Sequence, residues 1–180
     1  SNTANQTSVG TFSGNFDTSG TFNPDGKTYV LIHGWVNSGG NPDNGFLPSE
    51  PGMQMLTKYL LENIESQDNV IWVDWSNYSG YELERGTLTR SLNYPEASQS
   101  LARNSQIIKG YLETLGFNNQ ESLNKLTIMG FSLGAQTAGL TGKLYKKDSL
   151  DVEEVYLFDP AGPIFEQAYA EFNQTDPENY

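Results

Sequence analysis

Cysteine is absent from this 180-residue sequence, and histidine occurs once, at His33. The first absence rules out disulfides, thiolate nucleophiles and cysteine–zinc clusters, and it carries no information about compartment. The second leaves any chemistry that needs an imidazole with a single candidate in the chain. No apolar run approaches the ~18–20 residues that span a bilayer. The opening SNTANQTSVG is polar and uncharged, so the chain as given shows no signal peptide. Basic residues are scarce too, with 10 Lys and Arg against 22 Asp and Glu and a formal net charge of −12. That balance argues against nucleic acid, polyanions and anionic membrane surfaces as partners. The acids are scattered, which reads as a solvated surface. Sequons beginning at Asn5, Asn77 and Asn173 are compatible with secretion.

What remains is the material of one globular domain with a sizeable core. Residues 1–26 alternate weakly and read as short strands with turns. TYVLIHG (28–34) and NVIWVDW (69–75) read as strands buried on both faces. Between them, the Gly, Pro and Asn of residues 37–52 mark a loop, and MQMLTKYLLENIES (53–66) has apolar residues at helical spacing. A long helix is expected after Pro95, with Gly116 as its stop. LTIMGFS (126–132) then reads as a strand, Leu133 to Tyr145 as a helix and VEEVYLFDP (152–160) as another strand. Strands alternating with helices predict an α/β fold, a mostly parallel sheet with helices on both faces. Chemistry in such sheets gathers at the carboxyl ends of the strands. Those ends hold His33-Gly34-Trp35, Asp74-Trp75, Ser132 and Asp159.

GFSLG (130–134) is the most informative of these stretches. A serine on a sharp strand-to-helix turn adopts a strained backbone and draws neighbouring backbones close, so only glycine fits two positions to either side. Ser132 has Gly130 and Gly134 there, a strand-like run before it and a helix-like run after it. A glycine-rich helix–strand contact without chemistry is the competing reading. If the serine is a nucleophile, the N–H of Leu133 at the helix start is one oxyanion donor. The Trp35 N–H, from the loop after an earlier strand, is the other. Asp159 follows at the end of the next strand, in the order serine then acid; the alternative is a carboxylate capping the Pro160 turn. His33 precedes the serine and lies in the oxyanion loop, so it reads as a structural histidine more readily than as a base.

IHGW (32–35), VDW (73–75), GFSLGAQTAG (130–139) and FDPAGPIF (158–165) together resemble the animal lipases that include the pancreatic and lipoprotein lipases. The resemblance covers about residues 25–180 and implies an α/β-hydrolase fold. It makes Ser132 the nucleophile, Asp159 the triad acid, Trp35 and Leu133 the oxyanion residues and Gly130 and Gly134 the flanks of the elbow. Phe131 stands where many of the family have His or Tyr, and Gln136 where many have His. The family's triad histidine comes well after the acid, and residues 160–180 contain none. Residues 1–180 therefore read as a partial α/β-hydrolase domain, truncated on its C-terminal side, with VYLF (155–158) at an open sheet edge and little activity alone. The resemblance also implies a structural calcium at Glu171, Gln174, Asp176 and Asn179, oxygen donors that suit a hard cation; an acidic loop without metal is the alternative.

The expected activity is hydrolysis of a lipid carboxylic ester, triacylglycerol or phospholipid, by a secreted enzyme at a lipid–water interface through an acyl-enzyme. No cofactor is required for that chemistry, and a protein cofactor stays open. A non-catalytic lipase-like protein, used for binding or yolk-type storage, is the alternative from a different class. A general esterase or thioesterase of the same fold is a third reading.

Overall fold

The computed structural model describes residues 5–8, 22–35, 51–73, 75 and 94–162. Five strands, β1 (Asn5–Ser8), β2 (Thr28–Ile32), β3 (Asn69–Val73), β4 (Leu126–Phe131) and β5 (Glu154–Phe158), form one sheet in the order β1-β3-β2-β4-β5. Every pairing between them is parallel. Four helices are described: α1 (Pro51–Asn63), α2 (Tyr94–Thr114), α3 (Gln120–Leu123) and α4 (Leu133–Lys147). Among the described residues, no helix is long and apolar enough to cross a membrane.

Alternation along the strands sorts their side chains onto two faces. Val30, Ile32, Ile71, Val73 and Ile128 pack on one side with Leu101, Ile108 and Leu112 of α2 and Leu133, Ala138 and Tyr145 of α4. Leu31, Val70, Trp72 and Met129 face the other way, against Met53 and Leu60 of α1. Both faces are thus covered over β2 and β3, which explains why those strands read as unbroken apolar runs. β5 differs. It lies at one edge of the described sheet, and each of its residues is exposed. Val155 and Leu157 reach the α4 side, where they lie against Gly142 and Gly139.

Boundaries depart from the sequence reading by a few residues. α1 begins at Pro51, a residue suited to the first helical turn because its missing N–H is not needed there. α2 ends at Thr114, and Gly116 takes φ 102° just beyond it, the left-handed conformation that stops a helix. α3 was not expected. It is one turn long, too short for any periodicity, and begins where the Asn119 side chain accepts from the Ser122 N–H.

The strand starts are held by side chains rather than by apolar packing. Asn69 is fully buried; its amide donates to the Asn23 carbonyl at 2.8 Å and to the Thr28 hydroxyl at 3.0 Å, and its Oδ1 accepts from the Asn23 N–H at 2.9 Å. Asp68 adds a bond from the Lys27 N–H at 2.9 Å. These bonds tie the entry of β2 to the entry of β3 and so help set the register between them. Asn69→Ala removes three hydrogen bonds, one to buried Thr28 and two to half-buried Asn23. We expect a loss of about 2–3 kcal/mol in urea-melt stability, and an unchanged midpoint would contradict this account.

Candidate active site

The chain steps from β2 to its neighbour β3, then crosses over β2 to β4 on the other side. The crevice at the carboxyl ends of β2 and β4 is therefore a topological switch point, where open parallel sheets bind ligands. It is lined by the loop His33-Gly34-Trp35 after β2 and by Ser132 after β4.

Ser132 sits between the last residue of β4 and the first of α4, with φ 54° and ψ −120°. A positive φ combined with this ψ lies outside the allowed regions for an L-residue, and such strain persists only where the surroundings enforce it. A serine at a helix N-cap normally turns its hydroxyl onto the first backbone N–H groups. Ser132 does not cap α4, because this backbone aims the side chain elsewhere. The first turn of α4 closes instead through the Ala135 N–H, which donates to the Ser132 carbonyl at 3.0 Å.

The two glycines explain how the turn is enforced. A Cβ on Gly130 would lie 2.1 Å from the Gly134 carbonyl oxygen, so β4 and the start of α4 touch backbone to backbone. A Cβ on Gly134 would lie 2.3 Å from the carbonyl oxygens of both Ile32 and His33. The start of α4 thus rests directly on the loop that carries Trp35. Leu133 between them is fully buried in the core on the α2 side, which anchors the helix start.

β5 delivers Asp159 to the same place. The Ser132 N–H donates to the Phe158 carbonyl at 3.0 Å, and the Ala161 N–H donates back to the Ser132 carbonyl at 3.3 Å. Gln136 Nε2 donates to the Ala161 carbonyl at 3.0 Å, tying the first turn of α4 to the residues after Asp159. Asp159 is exposed and has φ 43°. Three described non-glycine residues have positive φ: Ser132, Asp159 and Ser149. Ser149 follows the end of α4, where the left-handed conformation is ordinary. The other two are adjacent strand ends of the candidate site.

His33 is engaged on both ring nitrogens. Nδ1 lies 2.7 Å from the Gly34 carbonyl oxygen, and Nε2 accepts from the Trp75 backbone N–H at 3.1 Å. A carbonyl only accepts and an amide N–H only donates, so the ring is neutral with its proton on Nδ1. Neither nitrogen is left for the Ser132 hydroxyl. The imidazole is stacked against Trp72 and against Trp75, with ring centres at 5.9 and 5.6 Å.

The structure brings Ser132, Gly130, Gly134, Leu133, Trp35 and the Asp159 backbone together at one end of the sheet. Asp74 lies outside the described residues, as do Glu171, Gln174, Asp176 and Asn179, the residues expected to bind calcium. Among the described residues, no group of three His, Asp or Glu side chains is placed to hold a metal ion. Sequence reasoning named Trp75 and Gln136 but not their partners, His33 and the Ala161 carbonyl. An aromatic residue at a buried strand end reads as core, and a glutamine in a helix gives no signal of its partner.

Fold and strand order define an α/β-hydrolase. Within that class the chain belongs to the Lipase family, whose model matches residues 2–178. It is 32% identical to a phospholipase A1 of Vespa velutina over 140 residues, 77% of this chain and 42% of that protein. It is 31% identical to the lipoprotein lipase of Sus scrofa over 150 residues, 83% of this chain and 26% of that protein. A lipoprotein lipase of Gallus gallus is 30% identical over 149 residues. The chain spans less than half the length of these curated relatives.

Gly134→Ala tests the contact between helix and loop. The added methyl meets two backbone carbonyls, which cannot rotate away as a side chain could. We expect a loss of about 3 kcal/mol or more, at the upper end of overpacking penalties, read as a lower urea midpoint. A variant as stable as the parent would mean that the loop gives way freely.

Proposed function

We propose that the protein of which this chain is part hydrolyses lipid carboxylic esters through an acyl-enzyme on Ser132. The observation that carries this reading is the backbone of Ser132, strained at φ 54° and ψ −120° with a hydroxyl that does not cap its helix. A serine kept for stability would relax into a cap. This one is held out of that role at the carboxyl end of the sheet.

In this reading the Ser132 oxygen attacks the ester carbonyl carbon while a histidine takes its proton. The oxygen of the tetrahedral intermediate receives the N–H groups of Trp35 and Leu133, the latter also at the positive end of the α4 dipole. Collapse breaks the ester C–O bond, the departing alkoxide takes the proton from the imidazolium and leaves as the alcohol, and water then releases the acid by the same route. Asp159 orients the histidine and stabilises its charged form. That histidine is expected in sequence beyond residue 180, because both nitrogens of His33 are occupied. The names of the relatives support a lipid ester as substrate, one being a phospholipase A1 and two lipoprotein lipases. Secretion, a lipid–water interface as the place of action and a structural calcium held by Glu171, Gln174, Asp176 and Asn179 belong to the same proposal.

The test compares the full-length protein, the 180-residue chain and Ser132→Ala in the full-length protein, all on p-nitrophenyl butyrate, with triacylglycerol and phosphatidylcholine emulsions to separate the substrates. Triad members act as a unit, so Ser132→Ala should lower kcat by roughly 10⁴–10⁶. The 180-residue chain should turn over near the background rate. Turnover unaffected by Ser132→Ala would remove the assignment of the nucleophile. Robust Ser132-dependent turnover by the 180-residue chain would remove the downstream histidine and return the role to His33.

A further inference from the structure

Trp75 has no role in the site as assigned so far, yet it makes two hydrogen bonds to one residue of the loop after β2. Its backbone N–H donates to His33 Nε2 at 3.1 Å. Its indole N–H donates to the His33 carbonyl at 2.6 Å. The first bond is informative about protons. A donor at Nε2 requires that nitrogen to be bare, which puts the proton of the neutral ring on Nδ1. Nδ1 then donates to the Gly34 carbonyl oxygen, 2.7 Å away.

That carbonyl belongs to the same peptide unit as the N–H of Trp35. The unit is planar, and no cis peptide bond occurs among the described residues. In a trans peptide the C=O and the N–H point in opposite directions. Holding the Gly34 oxygen therefore fixes the direction of the Trp35 N–H. If the same peptide turned over, it would present a carbonyl oxygen to a developing oxyanion, which is repulsive where a donor is needed. The burial of both partners sharpens the control. Trp75 is 1% exposed and His33 5% exposed, so water competes little for these bonds. The indoles of Trp72 and Trp75 lie nearly parallel to the imidazole, at 20° and 22°, and oppose a ring flip that would exchange the two nitrogens.

We infer that Trp75 is a positioning residue for the oxyanion site: it fixes the tautomer and place of His33, whose Nδ1–H in turn aims the Trp35 N–H. The inference rests on the reading of the Trp35 N–H as an oxyanion donor. It deepens that reading by naming what holds the donor in place. The indole bond to the His33 carbonyl works from the second side. That carbonyl is also one of the two against which Gly134 is pressed. The loop is therefore gripped between the end of β3 and the start of α4.

Two measurements test it. Because His33 is the only histidine of the 180 residues, ¹⁵N NMR of the chain reports its ring without assignment. The expected result is a neutral ring protonated at Nδ1, with Nε2 unprotonated and coupled to the Trp75 amide; a proton on Nε2 overturns the inference. Kinetics of the full-length protein on a soluble ester supply the second readout. Trp75→Phe keeps an aromatic ring on the imidazole and removes the indole donor. Trp72→Phe changes the other stacked ring and serves as the packing control. Full loss of an oxyanion donor lowers kcat about 10²–10³-fold, so a misaimed donor should lower it about ten- to a hundredfold. We expect that loss in kcat for Trp75→Phe at nearly constant KM, with Trp72→Phe within about twofold of the parent on the same scale. His33→Asn, whose amide N–H can replace Nδ1–H, should retain more kcat than His33→Leu. Equal losses in the two tryptophan variants, or an effect confined to KM, would overturn the inference. Should either variant fail to fold, the tautomer of the unaltered chain still decides. Turnover that survives Ser132→Ala would strike the underlying assignment of the nucleophile alone, leaving the tautomer as a separate result.

Discussion

Backbone rests on backbone at Gly134, and the candidate site depends on that contact. The start of α4 approaches the carbonyls of Ile32 and His33 more closely than any side chain allows. The approach brings the N–H groups of Leu133 and Trp35 to the same end of the sheet, although they come from strands far apart in sequence. It also presses α4 onto β4 through Gly130, leaving Ser132 to absorb the sharp change in direction. Two missing methyl groups thus determine where α4, β4 and the loop after β2 meet. The sheet supplies the lateral order, β2 beside β4 and β4 beside β5, so that the three strand ends are neighbours before any side chain is considered.

The rest of the fold keeps these ends from moving apart. Apolar side chains on both faces lock β2, β3 and β4 between α1 on one side and α2 and α4 on the other. Polar contacts then finish the alignment at each end of the sheet. Asn69 and Asp68 do so where β2 and β3 begin. Trp75, His33 and Gln136 do so at the carboxyl ends, where small displacements matter most for chemistry. α2 and α4 are joined over the back of the site by the Ser105 hydroxyl, which donates to the Thr137 carbonyl at 3.1 Å.

Much of this was legible in the sequence because the signals are local. TYVLIHG, NVIWVDW and LTIMGFS show their burial as apolar runs, and GFSLG carries its turn in its two glycines. The structural reading of His33 could be reached from its position before the serine, but its partners could not. What was hidden is relational. Strand order is set by which faces pack together, and periodicity within one strand does not report its neighbours. The exposure of β5 along its length was expected from the family resemblance and not from VYLF itself, since an apolar run does not distinguish edge from centre. α3 escaped notice because one turn is shorter than the period that would reveal it. Trp75 looked like core and is core; its polar role exists only because β3 ends beside the loop after β2.

Ser132 and Asp159, both with positive φ, have a consequence for how this sequence tolerates change. Non-glycine residues in such conformations cost of order 1–3 kcal/mol each. Glycine at position 132 would relieve that cost, so by stability alone serine is the inferior choice there. The fold holds a reserve of free energy that substitutions at these two positions could release, with the gain in robustness set against the chemistry proposed for them. Selection for thermal hardiness alone would therefore erode the site first, and a stabilised descendant that keeps Ser132 must find its gains elsewhere in the sheet and helices.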